Sequence, residues 1–158
     1  MASRKLEDLT PELHFKALAH QIKCKESGID ILFTCTARSF QEQMALYAQG
    51  RQDIIEVNKL RLYAGLIPLL PQENHKKVTW TMASKHIINL EDNTSTNDKS
   101  KAYDIVVVKN GKAIWDIKAD IDKDLIPDYE ECGIIGERLG LVWGSRWSTP
   151  DYPHFQLG

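Results

Sequence analysis

The sequence lacks long hydrophobic runs and an excess of basic charge. No stretch approaches the roughly 18 consecutive apolar residues of a membrane-spanning helix, so membrane insertion is not expected. The 158 residues carry 20 basic and 22 acidic side chains, which gives a formal net charge of -2. A dedicated nucleic-acid binder or nuclease would present a basic surface, so nucleic acid is not an expected partner.

Cysteine is scarce, and the cysteines form no C-x-x-C pair. Cys24, Cys35 and Cys132 are odd in number and widely spaced. This pattern disfavours a cysteine-based zinc site and a thioredoxin-like redox centre. We expect three buried free thiols in a protein made in a reducing compartment.

The first ten residues are polar and charged, and they lack the apolar segment of a signal peptide. The composition, 42% hydrophobic and 27% charged, is ordinary for a globular protein. A chain of this length fits one domain spanning 1–158.

Local patterns predict an α+β fold in which helices pack on a small, largely antiparallel sheet. Apolar residues at helical spacing predict helices at 11–27, 40–49, within 52–72 and at 127–139. The first begins at the N-cap Thr10 and Pro11, and the last at Pro127. Strands are predicted in short stretches rich in β-formers, at 29–36, 77–81, 104–108, 112–116, 141–143 and 151–157. The pair Asn110-Gly111 predicts a tight hairpin turn, and the polar segment 89–101 predicts an exposed loop.

Two histidines and two aspartates form a candidate catalytic set. Two imidazoles and one carboxylate are a common ligand set for catalytic zinc, since they leave a fourth position for water. His86, Asp104 and His154 offer this combination. Asp151 lies three residues before His154, close enough to act as a general base. Spacing alone leaves this assignment open, because scattered histidines and aspartates occur in every protein.

The other three histidines are not grouped with candidate carboxylate ligands. His14 and His20 lie six residues apart on the first predicted helix, which does not place them on one helical face. We expect both to be ordinary surface or half-buried residues. His75 lies in a polar turn, and a role in the site is not expected.

Four segments of the chain resemble the M15-type zinc peptidase family. That family includes phage endolysins that cleave L-alanyl-D-glutamate bonds, VanY-type D,D-carboxypeptidases and proteins with the Hedgehog-like fold. The segments cover most of the chain in the family's order, at 36–51, 77–86, 100–104 and 139–155. The first reads T-A-R-S-F-Q-E-Q and continues to L-Y-A-Q-G-R, and the last contains G-L-V-W-G and ends in D-Y-P-H-F. The middle segments carry S-K-H and A-Y-D, similar to the two halves of the family's zinc motif.

The resemblance implies a role for each candidate residue. Zinc would be bound by His86, Asp104 and His154, and Asp151 would be the catalytic base acting on the metal-bound water. Arg38 would stabilise the oxyanion of the tetrahedral intermediate, a role that suits a permanently charged guanidinium. The alternative for Arg38 is a surface salt bridge.

The chain departs from the family between the first two ligands. His86 and Asp104 are 18 residues apart, a longer interval than in the family's compact motif. The additional residues fall in the polar segment, and a loop of this length can still bring its ends together. Asp92 and Asp98 remain alternative carboxylate ligands. Asp104 is preferred because A-x-D followed by an apolar run matches the start of the family's strand.

Two further features leave alternatives open. The stretch 52–74 is longer than usual and could form an extra helix beside the cleft that alters substrate access. Trp143, Trp147, Tyr152 and Phe155 cluster near the C-terminal motif. They could be core residues, or they could form a cleft wall that positions a peptide.

By resemblance, the expected activity is zinc-dependent cleavage of the peptidoglycan stem peptide. An L-alanyl-D-glutamate endopeptidase of phage endolysin type is preferred over a D,D-carboxypeptidase. A zinc-containing binding module without activity is a third reading, but such a protein would be expected to lose Asp151 or Arg38. No separate wall-binding module is expected. The protein would be made in the bacterial host cytoplasm without a signal peptide and would act on the cell wall after release.

Overall fold

A computed structural model describes residues 1–88 and 99–158. The described residues form four α-helices, namely α1 (Pro11–Glu26), α2 (Phe40–Ala48), α3 (Ile54–Tyr63) and α4 (Asp128–Arg138). They also form five strands, namely β1 (Asp30–Cys35), β2 (Ala102–Lys109), β3 (Lys112–Ile114), β4 (Val142–Trp143) and β5 (His154–Gln156). The predicted class, helices packed on a small antiparallel sheet, is confirmed.

Three of the helices begin at a capping side chain, and the cap of α1 is the one that the sequence predicts. The hydroxyl of Thr10 accepts a hydrogen bond from the Leu13 amide at the start of α1, and Ser39 caps α2 in the same way. The carboxylate of Asp53 accepts from two amides at the start of α3. Helix α3 ends at Tyr63, shortly before Gly65, whose φ of +73° is left-handed, so the helix is shorter than the predicted range 52–72.

The strands are ordered β1-β2-β5-β4, with β3 paired to β2, and every pairing between them is antiparallel. Asn110 and Gly111 connect β2 to β3 with φ values of 51° and 74°. Two successive left-handed residues produce the two-residue turn that matches the twist of a hairpin, so the predicted turn is confirmed.

Strand β2 separates the core from the opposite face of the sheet. Tyr103, Ile105 and Val107 point into the main hydrophobic core, where they meet residues of α1, α4 and β5. Because side chains alternate along a strand, Asp104 lies on the other face. The fold thereby buries one side of β2 and leaves the other available for polar chemistry.

His20 lies inside this core, contrary to the expectation of a surface or half-buried residue. Its Nε2 donates to the carbonyl of Cys132 at 2.8 Å, and its Nδ1 lies 2.8 Å from the hydroxyl of Tyr103. Both ring nitrogens are therefore satisfied, which allows a histidine to be fully buried. His14, by contrast, is half-buried as expected, and the three cysteines are buried free thiols.

The strand predicted at 77–81 does not form. Its polar backbone groups are engaged by side chains instead: the Gln43 amide donates to the Thr81 carbonyl, and Arg51 donates to the Thr79 carbonyl. Most of the predicted loop at 89–101 lies outside the described residues, as do Asp92 and Asp98. Within the described ranges, no helix is both long and apolar enough to cross a membrane.

Two glycines of α4 allow aromatic rings to pack directly on the helix backbone. A Cβ atom at Gly133 would lie 2.4 Å from the ring of Trp143, and one at Gly136 would lie 2.5 Å from the ring of Phe155. Both rings are fully buried, so they have little room to move. This close packing brings α4 onto β4 and β5.

We expect Gly133→Ala to destabilise the fold. Overpacking costs about 1–3 kcal/mol, while alanine returns up to about 1 kcal/mol in helix propensity, so the net loss should be about 1–2 kcal/mol. Urea unfolding followed by tryptophan fluorescence measures this difference. Arg138→Ala, at an exposed position of the same helix, is the control and should change stability by less than about 0.5 kcal/mol. A Gly133→Ala protein as stable as the parent would contradict this account of the packing.

Candidate metal centre and active site

The sheet register brings two of the predicted ligands together. Asp104 on β2 is directly opposite His154 on β5, so both side chains project from the same face. The His154 Nδ1 atom lies 3.0 Å from the Asp104 Oδ1 atom. Two residues that are 50 positions apart thus become neighbours through strand pairing alone.

His86 reaches the same point from a segment tied to the end of β1. The Arg38 amide donates to the His86 carbonyl at 2.8 Å, and the Ile88 amide donates to the Arg38 carbonyl at 3.0 Å. The His86 Nε2 atom then lies 3.2 Å from Asp104 Oδ1 and 3.2 Å from His154 Nδ1. The structure therefore brings His86, Asp104 and His154 together.

The spacing of these three donor atoms fits a zinc ion. Zinc bonds of about 2.0–2.1 Å to nitrogen and oxygen in a tetrahedron place neighbouring ligand atoms roughly 3.3 Å apart. The three separations here are 3.0, 3.2 and 3.2 Å. Two imidazoles and a carboxylate also suit the ion chemically, and the face towards the cleft leaves space for a further ligand.

Each imidazole has a partner for its other ring nitrogen. His154 Nε2 lies 3.0 Å from the Gln156 side-chain oxygen, which can only accept, so Nε2 carries the hydrogen and Nδ1 is free to bind a cation. His86 Nδ1 lies 3.5 Å from the sulfur of Cys35. If Nδ1 donates to this sulfur, Nε2 is left as the ligand atom.

Cys35 is close to the centre because β1 contains a bulge. The register shifts between Phe33 and Cys35, which sets Cys35 opposite Asp104. Donor atoms of Cys35, His86 and Asp104 all lie within 4.8 Å of one another, so this group too could hold a metal. Burial raises the pKa of the Cys35 thiol to about 12, which disfavours the thiolate that a metal requires.

Arg38 is largely buried at the edge of the centre and is not a surface salt-bridge residue. Its side chain is 15% exposed, and its Nη2 atom lies 3.9 Å from Asp104 Oδ2. Its Nη1 atom donates to Gln43 Oε1 at 2.9 Å. Gln43 is fully buried and is held in turn by Thr79 and Thr81, so the guanidinium has a fixed orientation.

The two carboxylates of the site have opposite pKa shifts. Burial opposes ionisation of Asp104, but the charges and hydrogen bonds of His86 and His154 more than offset it and hold its pKa well below the usual range. The pKa of Asp151 is raised, first by burial and then by the nearby charge of Asp104. Asp104 is therefore suited to bind a cation and Asp151 to exchange a proton.

A cleft of about 720 Å³ surrounds these groups. Arg38, the three clustered donors and Asp151 all contribute to its lining, together with three tryptophans at 80, 115 and 147. Of the four aromatics that the sequence analysis grouped, Trp147 lines the cleft, whereas Trp143 and Phe155 are fully buried in the core. None of the described residues that line the cleft comes from 52–74. Helix α3 therefore does not border the cleft, contrary to the alternative raised by the sequence analysis.

Sequence reasoning missed several residues that support the site. Cys35, Gln43 and Gln156 received no role, although Gln43 lies inside the first quoted segment. The signal for Gln43 was a polar residue within an otherwise apolar helix face, since such a residue is buried only with partners. Nothing in the sequence near Cys35 indicated its contact with His86, because that contact depends on the bulge. His75 is exposed and lies outside the cleft, as expected.

Comparison with known proteins identifies relatives with the same architecture. Residues 91–157 match the family model described as D-alanyl-D-alanine carboxypeptidase. The chain is 27% identical over 152 residues to the peptidoglycan L-alanyl-D-glutamate endopeptidase CwlK of Bacillus subtilis. The aligned region covers 95% of this chain and 74% of CwlK. Its fold resembles the crystal structure of the Serratia marcescens L-Ala D-Glu endopeptidase ChiX, with a TM-score of 0.50, 18% identity and coverage of 100% of this chain and 89% of that one. These similarities support an M15-type peptidase and indicate a hydrolase of the metallopeptidase class.

Proposed function

We propose that this protein is a zinc-dependent peptidoglycan peptidase that cleaves the stem peptide between L-alanine and D-glutamate. One observation carries the proposal: the donor atoms of His86, Asp104 and His154 converge at 3.0–3.2 Å on the floor of an open cleft. The substrate assignment is supported by CwlK and ChiX, both of which are described as L-alanyl-D-glutamate endopeptidases.

Zinc would be held by His86 Nε2, Asp104 Oδ1 and His154 Nδ1. When bound, zinc supplies Lewis acidity that polarises the scissile carbonyl and makes water acidic enough to attack near neutral pH. The Gln156 side chain would hold the His154 ring in its binding orientation. Cys35 would do the same for His86 through Nδ1.

Asp151 and Arg38 would carry out the proton and charge steps. Asp151 accepts a proton from the attacking water as the water oxygen bonds to the amide carbon. Arg38 stabilises the negative charge that develops on the carbonyl oxygen, because its guanidinium is held by Gln43 before substrate arrives. Asp151 then passes the proton to the leaving amine as the carbon–nitrogen bond breaks.

A D,D-carboxypeptidase is the second candidate, and the description of the matching family model favours it. Both activities use the same chemistry and differ only in the peptide bond that is cleaved. The residues that line the cleft therefore determine which bond is cut. Trp80, Trp115 and Trp147 are each more than a third exposed and line the cleft, where they could hold a stem peptide.

We further propose that the protein acts on the wall as a lysin of phage or prophage type, released from the host cytoplasm where it is made. One domain over 1–158 would then both bind and cleave the substrate. Efficient Sec-dependent export of the unmodified chain would contradict this route.

Digestion of purified peptidoglycan tests the function and the bond together. We expect new free amino groups, their loss with 1,10-phenanthroline and their return when zinc is added. Mass spectrometry should find new N-terminal D-glutamate, whereas release of terminal D-alanine would identify a carboxypeptidase. A protein that releases neither product with bound zinc would refute the proposed activity.

We expect His154→Ala to lose zinc and activity together. Removing a direct ligand should weaken zinc binding by more than the 10–100-fold that loss of a residue supporting a ligand typically costs. Metal content after dialysis, measured by mass spectrometry, checks this. His75→Ala, at an exposed histidine, is the control and should retain zinc. Normal zinc content in His154→Ala would remove this residue from the ligand set.

We expect Asp151→Asn to keep its zinc but to lose turnover by about 10²–10⁴-fold, because an amide cannot accept the proton. Steady-state hydrolysis and metal content should be measured on the same preparation. The control is Asp30→Asn, an exposed aspartate on β1, which should leave both unchanged. Near-normal turnover in Asp151→Asn would mean that another group is the base.

A further inference from the structure

A second group of carboxylates lies between β3 and α4, and none of its members lines the cleft. The group follows a regular spacing over twelve residues: Asp120, Asp122, Asp124, Asp128 and Glu131. Counted from Asp120, these are positions 1, 3, 5, 9 and 12. Calcium loops of twelve residues take oxygen ligands from these positions and from the backbone carbonyl at position 7.

The fold brings these carboxylates together. Oxygens of Asp120, Asp122 and Asp128 lie within 4.8 Å of one another. Oxygens of Asp122, Asp124 and Glu131 do so as well, and Asp122 belongs to both groups. The five side chains therefore form one patch of acidic oxygens.

The four aspartates of the patch accept hydrogen bonds from backbone amides of the same loop, whereas Glu131 has an oxygen without a partner. Its Oε2 atom is buried and has no hydrogen-bond partner among the described residues. Burial, followed by the charges of Asp122 and Asp124, raises the pKa of Glu131 to about 7. A buried carboxylate oxygen without a donor is costly unless a cation or hydrogen bond satisfies it.

Within the described ranges, no basic side chain forms an ion pair with these carboxylates. None of the ion pairs found there involves any of the five carboxylates. The remaining segment, 89–98, contains no lysine or arginine. Asp128 is fully buried, and both of its oxygens face the single amide of Ile121. The patch thus concentrates negative charge without an ion-pair partner among the described residues.

The backbone agrees with a calcium loop at its most demanding position. Position 6 of such loops is normally glycine, because the chain turns sharply there. This chain has Leu125 at position 6, and its φ of +78° is left-handed. A leucine rarely adopts this conformation. Helix α4 then begins at Asp128, which is position 9.

We propose that residues 120–131 bind one Ca²⁺ ion, through the five carboxylates and the backbone carbonyl of Ile126. Calcium fits better than magnesium, because a flexible all-oxygen loop with six or more ligands suits calcium, whereas magnesium demands a near-ideal octahedron. The ion would fasten the loop to α4, which packs on the rings of Trp143 and Phe155. Calcium would therefore stabilise the helix behind the cleft. This inference does not depend on which bond the enzyme cleaves.

Titration of the zinc-loaded full chain with calcium chloride tests the site. Isothermal titration calorimetry should give one calcium per chain, with a dissociation constant in the range of known calcium loops, about 1 nM to 1 mM. The melting temperature should rise by roughly 5–10 °C at calcium 100-fold above that constant. Magnesium at the same concentration should have a much smaller effect. No heat and no melting shift up to about 10 mM calcium would overturn the proposal.

Three variants locate the ion. Asp122→Asn changes an exposed side chain and should weaken binding at least about tenfold without loss of folding. Glu131→Gln should also weaken binding, yet without calcium it should melt no lower than the parent, because it relieves repulsion. The control Glu130→Gln, whose carboxylate faces Arg146 at 3.8 Å, should bind calcium normally.

Two results from these variants would contradict the site. A Glu131→Gln protein that melts lower than the parent with and without calcium would mark Glu131 as a packing residue. Loss of calcium binding in His154→Ala would place the ion in the cleft instead. Retention of calcium binding in His154→Ala, together with its loss in Asp122→Asn, would establish a site separate from the catalytic centre.

Discussion

The pairing register of β2 with β5 is the constraint on which the candidate site depends. It sets Asp104 directly opposite His154 and fixes their donor atoms at 3.0 Å. A slip of one residue would turn Asp104 into the core and Tyr103 towards the cleft, because side chains alternate along a strand. The register is held by the opposite face of β2, where Tyr103 and Phe155 stack in the core. Apolar packing on one face of the sheet thereby positions the polar groups on the other.

The third donor, His86, lies outside the sheet and needs other means of positioning. Its backbone is hydrogen-bonded to Arg38, and its ring contacts Cys35, so the end of β1 and the residues just after it position both the imidazole and the guanidinium. Gln43 then fixes Arg38 from α2. These contacts use neutral partners, which orient charged groups without neutralising them. A site organised in this way requires little rearrangement when a substrate arrives.

Structural features that depend on neighbouring residues could be predicted from the sequence. Features that depend on residues far along the chain could not. The cap of α1 and the Asn110-Gly111 turn each act over a few residues, so their chemistry predicted them correctly. The strand predicted at 77–81 was wrong because Gln43 and Arg51, far along the chain, take its backbone acceptors. The burial of His20 depends on Tyr103 and Cys132, which are equally distant. The resemblance to a family supplied the pairing of His86 with Asp104, which spacing alone left open.

The pKa values of two carboxyl groups, those of Asp104 and Glu131, are shifted in opposite directions. The two sites differ in whether positively charged groups lie nearby. Burial opposes ionisation of Asp104, but His86 and His154 more than offset it and hold its pKa well below the usual range. Glu131 has a buried oxygen without a partner, and burial, followed by the charges of Asp122 and Asp124, raises its pKa to about 7. A fold gains no stability from gathering carboxylates that repel one another. Their persistence at regular spacing between β3 and α4 is therefore best understood if the missing positive charge is an ion.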